Sequence, residues 1–300
     1  MQATELVIPV EPPLGATLTV PARPRAAALI LQGAGVHDRD GNMRATGFNS
    51  TLYRRLAREL ARCGLACLRY DKRGHDKPAG FAHDYSIPQR LADAAAALGV
   101  LRESVPGVPM FAIGHSEGAL VAAKLAETEP VAGAVCLAAP FGNLFALHHA
   151  RARSRLDQAR SGARAKAEKA VEFAQRLEAL FKENAPVLPE KFAALAKPYL
   201  GRGYEGWESY EWLAGHWSEE LKSEPRVPML VVQGGRDARL WPDNAQRWQQ
   251  WCESRPNAEF LLIEHMGHDL NDARHKSYRV DKEVIGAICA WTARFADAKA

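Results

Sequence analysis

The chain has 300 residues, 47% of them hydrophobic and 25% charged, the mix of an average globular domain. That excludes a disordered, collagen-like or coiled-coil protein, and a chain this long buries enough surface to fold without disulfide staples. The formal charge of +4 comes from 39 basic and 35 acidic residues. Ten basic and six acidic residues lie between 151 and 191, so the surplus is local and the remainder is neutral. A neutral body with one mixed-charge helical stretch offers no phosphate track, so no nucleic-acid partner is expected.

Read in chain order, short apolar runs alternate with helical patterns. Glu5 to Val10 and Ala16 to Val20 read as two strands joined through Pro12-Pro13. Ala26 to Leu31 is a continuous apolar run ending in Gln32-Gly33-Ala34-Gly35; such runs are strands buried on both faces of a parallel sheet. A helix is predicted over 51–62, with Leu52, Leu56 and Leu60 on one face and Asn49 or Ser50 as its cap. Strand Ala66 to Tyr70 ends at Asp71-Lys72-Arg73-Gly74. A helix over 86–103, strand 109–113, helix 117–127 and strand 133–138 follow. After a long insertion come strand 228–233, helix 243–254, strand 260–263 and a final helix over 281–295. Strands alternating with helices predict an α/β fold with a mostly parallel sheet.

The insertion differs in texture. Leu156, Ala159, Ala163, Ala167, Ala170, Ala174, Leu177 and Phe181 form one stripe of a long amphipathic helix, which Pro186 would stop. Beyond it, Tyr199, Tyr204, Trp207, Tyr210, Trp212 and Trp217 cluster. The expected domains are a core of residues 1–140 and 227–300 and a helical cap, 141–226. Pro130 to Ala150 carries no Asp, Glu, Lys or Arg, but Pro140, Gly142 and Asn143 interrupt it, so no stable membrane insertion is expected. Met1 to Glu5 lacks the n- and h-regions of a signal peptide. Cys63, Cys67, Cys136, Cys252 and Cys289 are odd in number and form no C-x-x-C pair, so reduced thiols and a cytoplasmic location are expected.

Gly114-His115-Ser116-Glu117-Gly118 matches G-x-S-x-G, with the strand before and the helix after that this pattern demands. Side chains at 114 and 118 would collide with backbone in a turn that presents Ser116 Oγ above the sheet. A nucleophilic serine needs a base, and the base an orienting acid, in chain order Ser, acid, His. Asp237 follows strand 228–233 and His268 follows strand 260–263, both on loops at strand carboxyl ends, where α/β sites form. Asp243 and Asp272 compete for the acid, and His265 for the base. Gly267, just before His268, reads as room for close approach to the serine. The expected oxyanion donors are the amides of Glu117 and Ala34, with Gly35 second. Asp38, Arg39, Asp40 and Asn42 start like a calcium loop, but Met43 and Asn49 break the pattern, leaving an ion-paired loop. Gly201 to Gly206 fits G-x-G-x-x-G without a preceding strand and reads as a turn. His148-His149 has no spaced partners for a metal.

On these residues the chain resembles the α/β-hydrolase superfamily over nearly its whole length. The matching parts are the Gly33 turn, Asp71 to Gly74, Gly114 to Gly118, Asp237 and Gly267-His268. Gly33 to Asn42 looks like the G-S-G-P-x-D-R-D signature of a carboxylesterase and serine-aminopeptidase-like branch. Ala34 and Val36 depart from it, and Gln32 replaces the His of the usual H-G-x-G turn. The resemblance implies an eight-stranded α/β-hydrolase fold, no metal or organic cofactor, and a small-molecule ester substrate cleaved through Ser116, Asp237 and His268. An aminopeptidase or amidase, with Glu205, Glu208 or Glu211 holding a substrate amine, and a thioesterase or acyltransferase use the same parts. A non-catalytic binding protein on this fold is the third class, because fold alone does not fix function.

Overall fold

The long apolar runs become the centre of one sheet. In this computed structural model, residues 1–44, 47–76, 87–142, 144–183, 225–275 and 278–296 are described. Strands β1 (Gln2–Ile8), β2 (Leu14–Val20), β3 (Ala26–Leu31), β6 (Leu65–Tyr70), β7 (Met110–His115), β8 (Gly133–Leu137), β9 (Met229–Gly234) and β10 (Ala258–Ile263) pair in the order β1-β2-β6-β3-β7-β8-β9-β10. The pairs β1–β2 and β2–β6 are antiparallel and the rest are parallel. Every residue of β3, β6, β7, β8 and β9 is buried. Helices covering both faces account for that, which is why these runs show no polar alternation. β4 (Asn42–Met43) and β5 (Phe48–Asn49) form a separate two-stranded ribbon.

The helices follow the predicted periodicity. In α1 (Leu52–Arg62) the predicted leucines are buried, together with Tyr53 and Ala57. Fully burying one such leucine stabilises by about 2 kcal/mol. Ser50 Oγ accepts the Leu52 amide at 3.3 Å, while Thr51 takes the left-handed cap position. α2 (Ile87–Ser104), α3 (Glu117–Thr128), α6 (Asn244–Glu253) and α7 (Lys282–Ala296) complete the layers.

The chain divides into two compact units, Met1–Pro78, Pro88–Pro140 and Glu224–Ala300 forming one and Ala79–Ile87 with Phe141–Ser223 the other. In the second, the predicted single helix is two: α4 (Leu144–Asp157) and α5 (Ser161–Glu183). The break falls at 158–160, just before Ser161-Gly162, weak helix formers that open α5 within the alanine stripe. His149 Nε2 joins Glu178 Oε2 at 2.7 Å, tying α4 to α5. Pro186, the six clustered aromatics, Glu205, Glu208, Glu211 and Gly201 to Gly206 lie outside the described residues.

The thiol expectation is corrected. Cys63 and Cys289 are disulfide-bonded, with Cα atoms 6.0 Å apart, although 226 residues separate them. The packing of α1 against α7 brings them together, which spacing in the sequence does not show. Cys67, Cys136 and Cys252 are free and buried. Disulfides persist mainly in oxidising compartments, so the thiol argument for a cytoplasmic location falls away. Among the described residues no helix is long and apolar enough to cross a membrane.

Candidate active site

The carboxyl ends of β3, β7, β9 and β10 each deliver one part of the site. At the end of β7 the chain turns through Ser116, whose φ of 54° and ψ of −124° lie in a region that non-glycine residues rarely occupy. Such a conformation costs about 1–3 kcal/mol and persists only where its surroundings enforce it. Here the Ser116 amide donates to the Leu137 carbonyl at 2.8 Å. The flanking glycines are steric necessities. A Cβ at Gly114 would lie 2.1 Å from the Gly118 carbonyl oxygen, and one at Gly118 would lie 2.2 Å from that of Leu31.

After β9, Gly234-Gly235 lets the acid loop pass directly against the base loop. A Cβ at Gly234 would meet the Met266 oxygen at 2.2 Å, and one at Gly235 the Glu264 oxygen at 2.7 Å. The structure brings together the three nominated side chains. Asp237 Oδ2 lies 2.7 Å from His268 Nδ1, and His268 Nε2 lies 3.0 Å from Ser116 Oγ. Both ionisable side chains are almost fully buried. Asp237 Oδ1 accepts the Arg239 amide at 2.9 Å, so each carboxylate oxygen has its own task. The competitors are engaged elsewhere: Asp243 with Arg247, Asp272 with Arg274, and His265 with Asp281. Gly267 does not face the serine; a Cβ there would meet Ala273 and Asn271 of its own loop.

The loop after β3 packs on the same serine. A Cβ at Gly33 would lie 3.1 Å from Ser116 Cβ. Gln32 ties this loop to the sheet, its side-chain amide donating to the Tyr70 carbonyl, and its own carbonyl accepts Arg90 Nη2 at 3.3 Å. Ala34 is exposed, and neither its amide nor that of Glu117 has a hydrogen-bond acceptor among the described residues. The Glu117 carboxylate is turned to Arg90, 2.7 Å away, so its charge is countered behind the site.

Four further side chains serve the site, and the sequence reading did not single them out. Tyr53 Oη accepts the Gly33 amide at 2.7 Å and lies 3.1 Å from His115 Nδ1. His115 Nε2 lies 2.8 Å from the His268 carbonyl. A neutral His115 protonated on Nε2 satisfies all three contacts: the tyrosine hydroxyl donates to Nδ1 and Nε2–H to the carbonyl. Burial, with His268 nearby, pushes the His115 pKa well below its usual value. Lys72 Nζ donates to the carbonyls of Gly33 and Gly35. His37 Nε2 reaches the Ala34 carbonyl at 2.8 Å. Burial, then the Lys72 charge, lowers the His37 pKa to about 4. The only sequence signal for these residues is proximity: His115 precedes the serine, Lys72 interrupts Asp71 and Arg73, and Tyr53 lies beside the leucine stripe.

The ion-paired loop is as expected. Asp38 Oδ1 accepts the amides of Asp40, Gly41 and Asn42, while Arg39 pairs with Asp71 and Asp40 with Arg69. For a cation, His265, Asp272 and Asp281 offer three ligand atoms within 4.8 Å of one another. Protein partners already use them: Arg274 grips both oxygens of Asp272, and Asp281 accepts the Glu283 amide as well as facing His265.

A family model described as serine aminopeptidase, S33, matches residues 46–194, a span holding Ser116 but not Asp237 or His268. The sheet order and the strained serine turn agree with that match. The chain has the α/β-hydrolase fold. Esterase EstD of Thermotoga maritima is 24% identical to this α/β hydrolase over 287 residues. That alignment covers 91% of the chain but 64% of EstD, so the chain spans less than two thirds of that relative. Est1E from Butyrivibrio proteoclasticus superposes with a TM-score of 0.59 at 17% identity, covering 97% of this chain and 98% of its own. Proline iminopeptidase of Mycobacterium smegmatis gives 0.59 at 12% identity, covering 99% and 100%.

Proposed function

We propose that this α/β hydrolase is a serine esterase that cleaves carboxylic esters of small or medium acyl or aryl groups through an acyl-enzyme on Ser116. The observation that carries this reading is one continuous line, Asp237–His268–Ser116, with the Gly33 turn packed on the serine and the Ala34 and Glu117 amides without acceptors among the described residues. His268 Nε2 takes the Ser116 proton as Oγ attacks the ester carbonyl. The charge that develops on the carbonyl oxygen is held by the Ala34 and Glu117 amides. Asp237 keeps the His268 proton on Nδ1, leaving Nε2 free to accept. His268 then returns the proton to the leaving alcohol, and water cleaves the acyl-enzyme by the same steps. The likeness to EstD and Est1E favours an ester as the substrate.

Aryl esters of increasing acyl length test this reading. Ser116→Ala is expected to lose at least about 10⁴-fold in kcat with its melting temperature kept; a folded variant with the parent rate contradicts the proposal. A peptidase is the second reading, favoured by the family description and by the likeness to a proline iminopeptidase. Faster turnover of aminoacyl arylamides than of matched aryl esters would select it.

A further inference from the structure

The oxyanion loop is held from behind at three successive carbonyls. Lys72 Nζ donates to Gly33 O and, at 3.1 Å, to Gly35 O. His37 Nε2 lies 2.8 Å from Ala34 O. Both side chains are buried, Lys72 at 6% and His37 at 7% exposure. Neither lies within the line from Asp237 to Ser116.

The planarity of the peptide gives these contacts a consequence. In a trans peptide, the C=O of one residue and the N–H of the next point in opposite directions and cannot rotate independently. The Gly33 carbonyl and the Ala34 amide belong to one such unit. Drawing Gly33 O inward to Lys72 therefore turns the Ala34 N–H outward. The Ala34 carbonyl and the Gly35 amide form the next unit, so His37 orients the Gly35 N–H in the same way. One amine chelating carbonyls 33 and 35 bends the loop around itself and fixes both planes. Among the described residues the Ala34 amide has no acceptor.

We propose that Lys72 is a positioning residue for the reaction: by gripping the carbonyls of Gly33 and Gly35 it aims the Ala34 amide at the oxyanion, a task separate from that of the base. The inference rests on the serine-esterase reading and adds to it which side chain makes Ala34, rather than Gly35, the working donor. An amide so aimed acts only once negative charge develops, so its loss lowers kcat and leaves ground-state binding alone.

The experiment compares Lys72→Met and His37→Phe, each close in volume to its parent side chain, with the unaltered enzyme on an aryl ester. Removing an oxyanion donor costs about 10²–10³ in rate, so misaiming one by Lys72→Met is expected to lower kcat by about 10–100-fold. KM stays within about twofold, and affinity for a trifluoromethyl ketone, which forms the oxyanion, falls by the factor lost from kcat. His37→Phe, which leaves both Lys72 contacts in place, is expected to lower kcat less than Lys72→Met does. A purely structural lysine would lower the melting temperature and leave kcat of the folded variant unchanged, which overturns the proposal. The reverse ranking, with His37→Phe the slower, assigns the donor to Gly35 and also overturns it. Where Lys72→Met does not fold, Lys72→Gln, with one amide donor in place of the chelating amine, is expected to show a smaller drop in kcat at constant KM; parent kinetics in that variant overturn the role. If the parent itself turns over no ester and takes up no fluorophosphonate, the serine-esterase reading fails and the role of Lys72 with it. An active parent with an unaffected Lys72→Met overturns the role alone.

Discussion

The loop after β10 and the loop after β3 meet at the same serine and are built in opposite ways. On the His268 side the working atoms are paired: Nδ1 with Asp237 and Nε2 with Ser116. On the Gly33 side the proposed donor, the Ala34 amide, has no acceptor among the described residues, and the hydrogen bonds are made by its neighbours: the Gly33 amide to Tyr53, and the carbonyls of 33, 34 and 35 to Lys72 and His37. A proton relay functions through contacts that exist before substrate arrives. An oxyanion donor functions by holding a vacancy in a fixed direction, so its protein has to satisfy everything around it. The two sides are also joined, because Tyr53 and His115 link Gly33 to the His268 carbonyl.

Substitutions on the two sides are therefore expected to fail differently. Asp237→Asn breaks the paired side. Its oxygen keeps the Arg239 amide and its NH₂ then faces Nδ1, forcing the imidazole proton onto Nε2, where it cannot accept from Ser116. A loss of about 10⁴-fold in kcat follows, read by steady-state kinetics, with little change in KM.

The vacant side has an acid limit of its own. His37 is buried neutral, with a pKa of about 4 against 6.5, set by burial and Lys72. The unfolded chain therefore takes up this proton first. Its contribution to stability is complete above pH 6.5, shrinks as pH falls, and is gone near pH 4. A shift of this size corresponds to about 3 kcal/mol. Denaturant melts between pH 7 and 4 are expected to show this slope, and His37→Phe to flatten it.

Tyr53→Phe cuts the link between the sides. It leaves the buried Gly33 amide without an acceptor, at a cost of about 1–3 kcal/mol in stability. Because the hydroxyl bonds to the Gly33 amide and His115 rather than to the reacting side chains, kcat is expected to fall less than in Asp237→Asn, by about tenfold.

The paired side was the more legible in the sequence. Ser116, Asp237 and His268 follow apolar runs that end in glycine, and strand order alone carries them to one edge of the sheet. Ala34 and Glu117 remain proposed donors, read from backbone position alone because an amide has no side-chain signature. Lys72 and Tyr53 were not legible, since they act on backbone atoms of residues distant in sequence, and His37, three residues from Ala34, carries no pattern that marks its contact. A buried lysine reaching carbonyls 37 and 39 positions away leaves no periodicity to read. The Cys63–Cys289 bond was hidden for the same reason, and the break between α4 and α5 because alanine continues a stripe without enforcing it. The core strands, by contrast, were legible almost to the residue, because burial on both faces leaves an apolar run that no loop imitates.

The central claim is that Ser116 is a nucleophile made reactive by both sides at once. Mass mapping of the folded protein after exposure to a fluorophosphonate tests it directly. The account predicts a single adduct, on Ser116, absent in Ser116→Ala and formed far more slowly in His268→Ala. No adduct on the folded parent, or an adduct on another residue at an equal rate in Ser116→Ala, would contradict it.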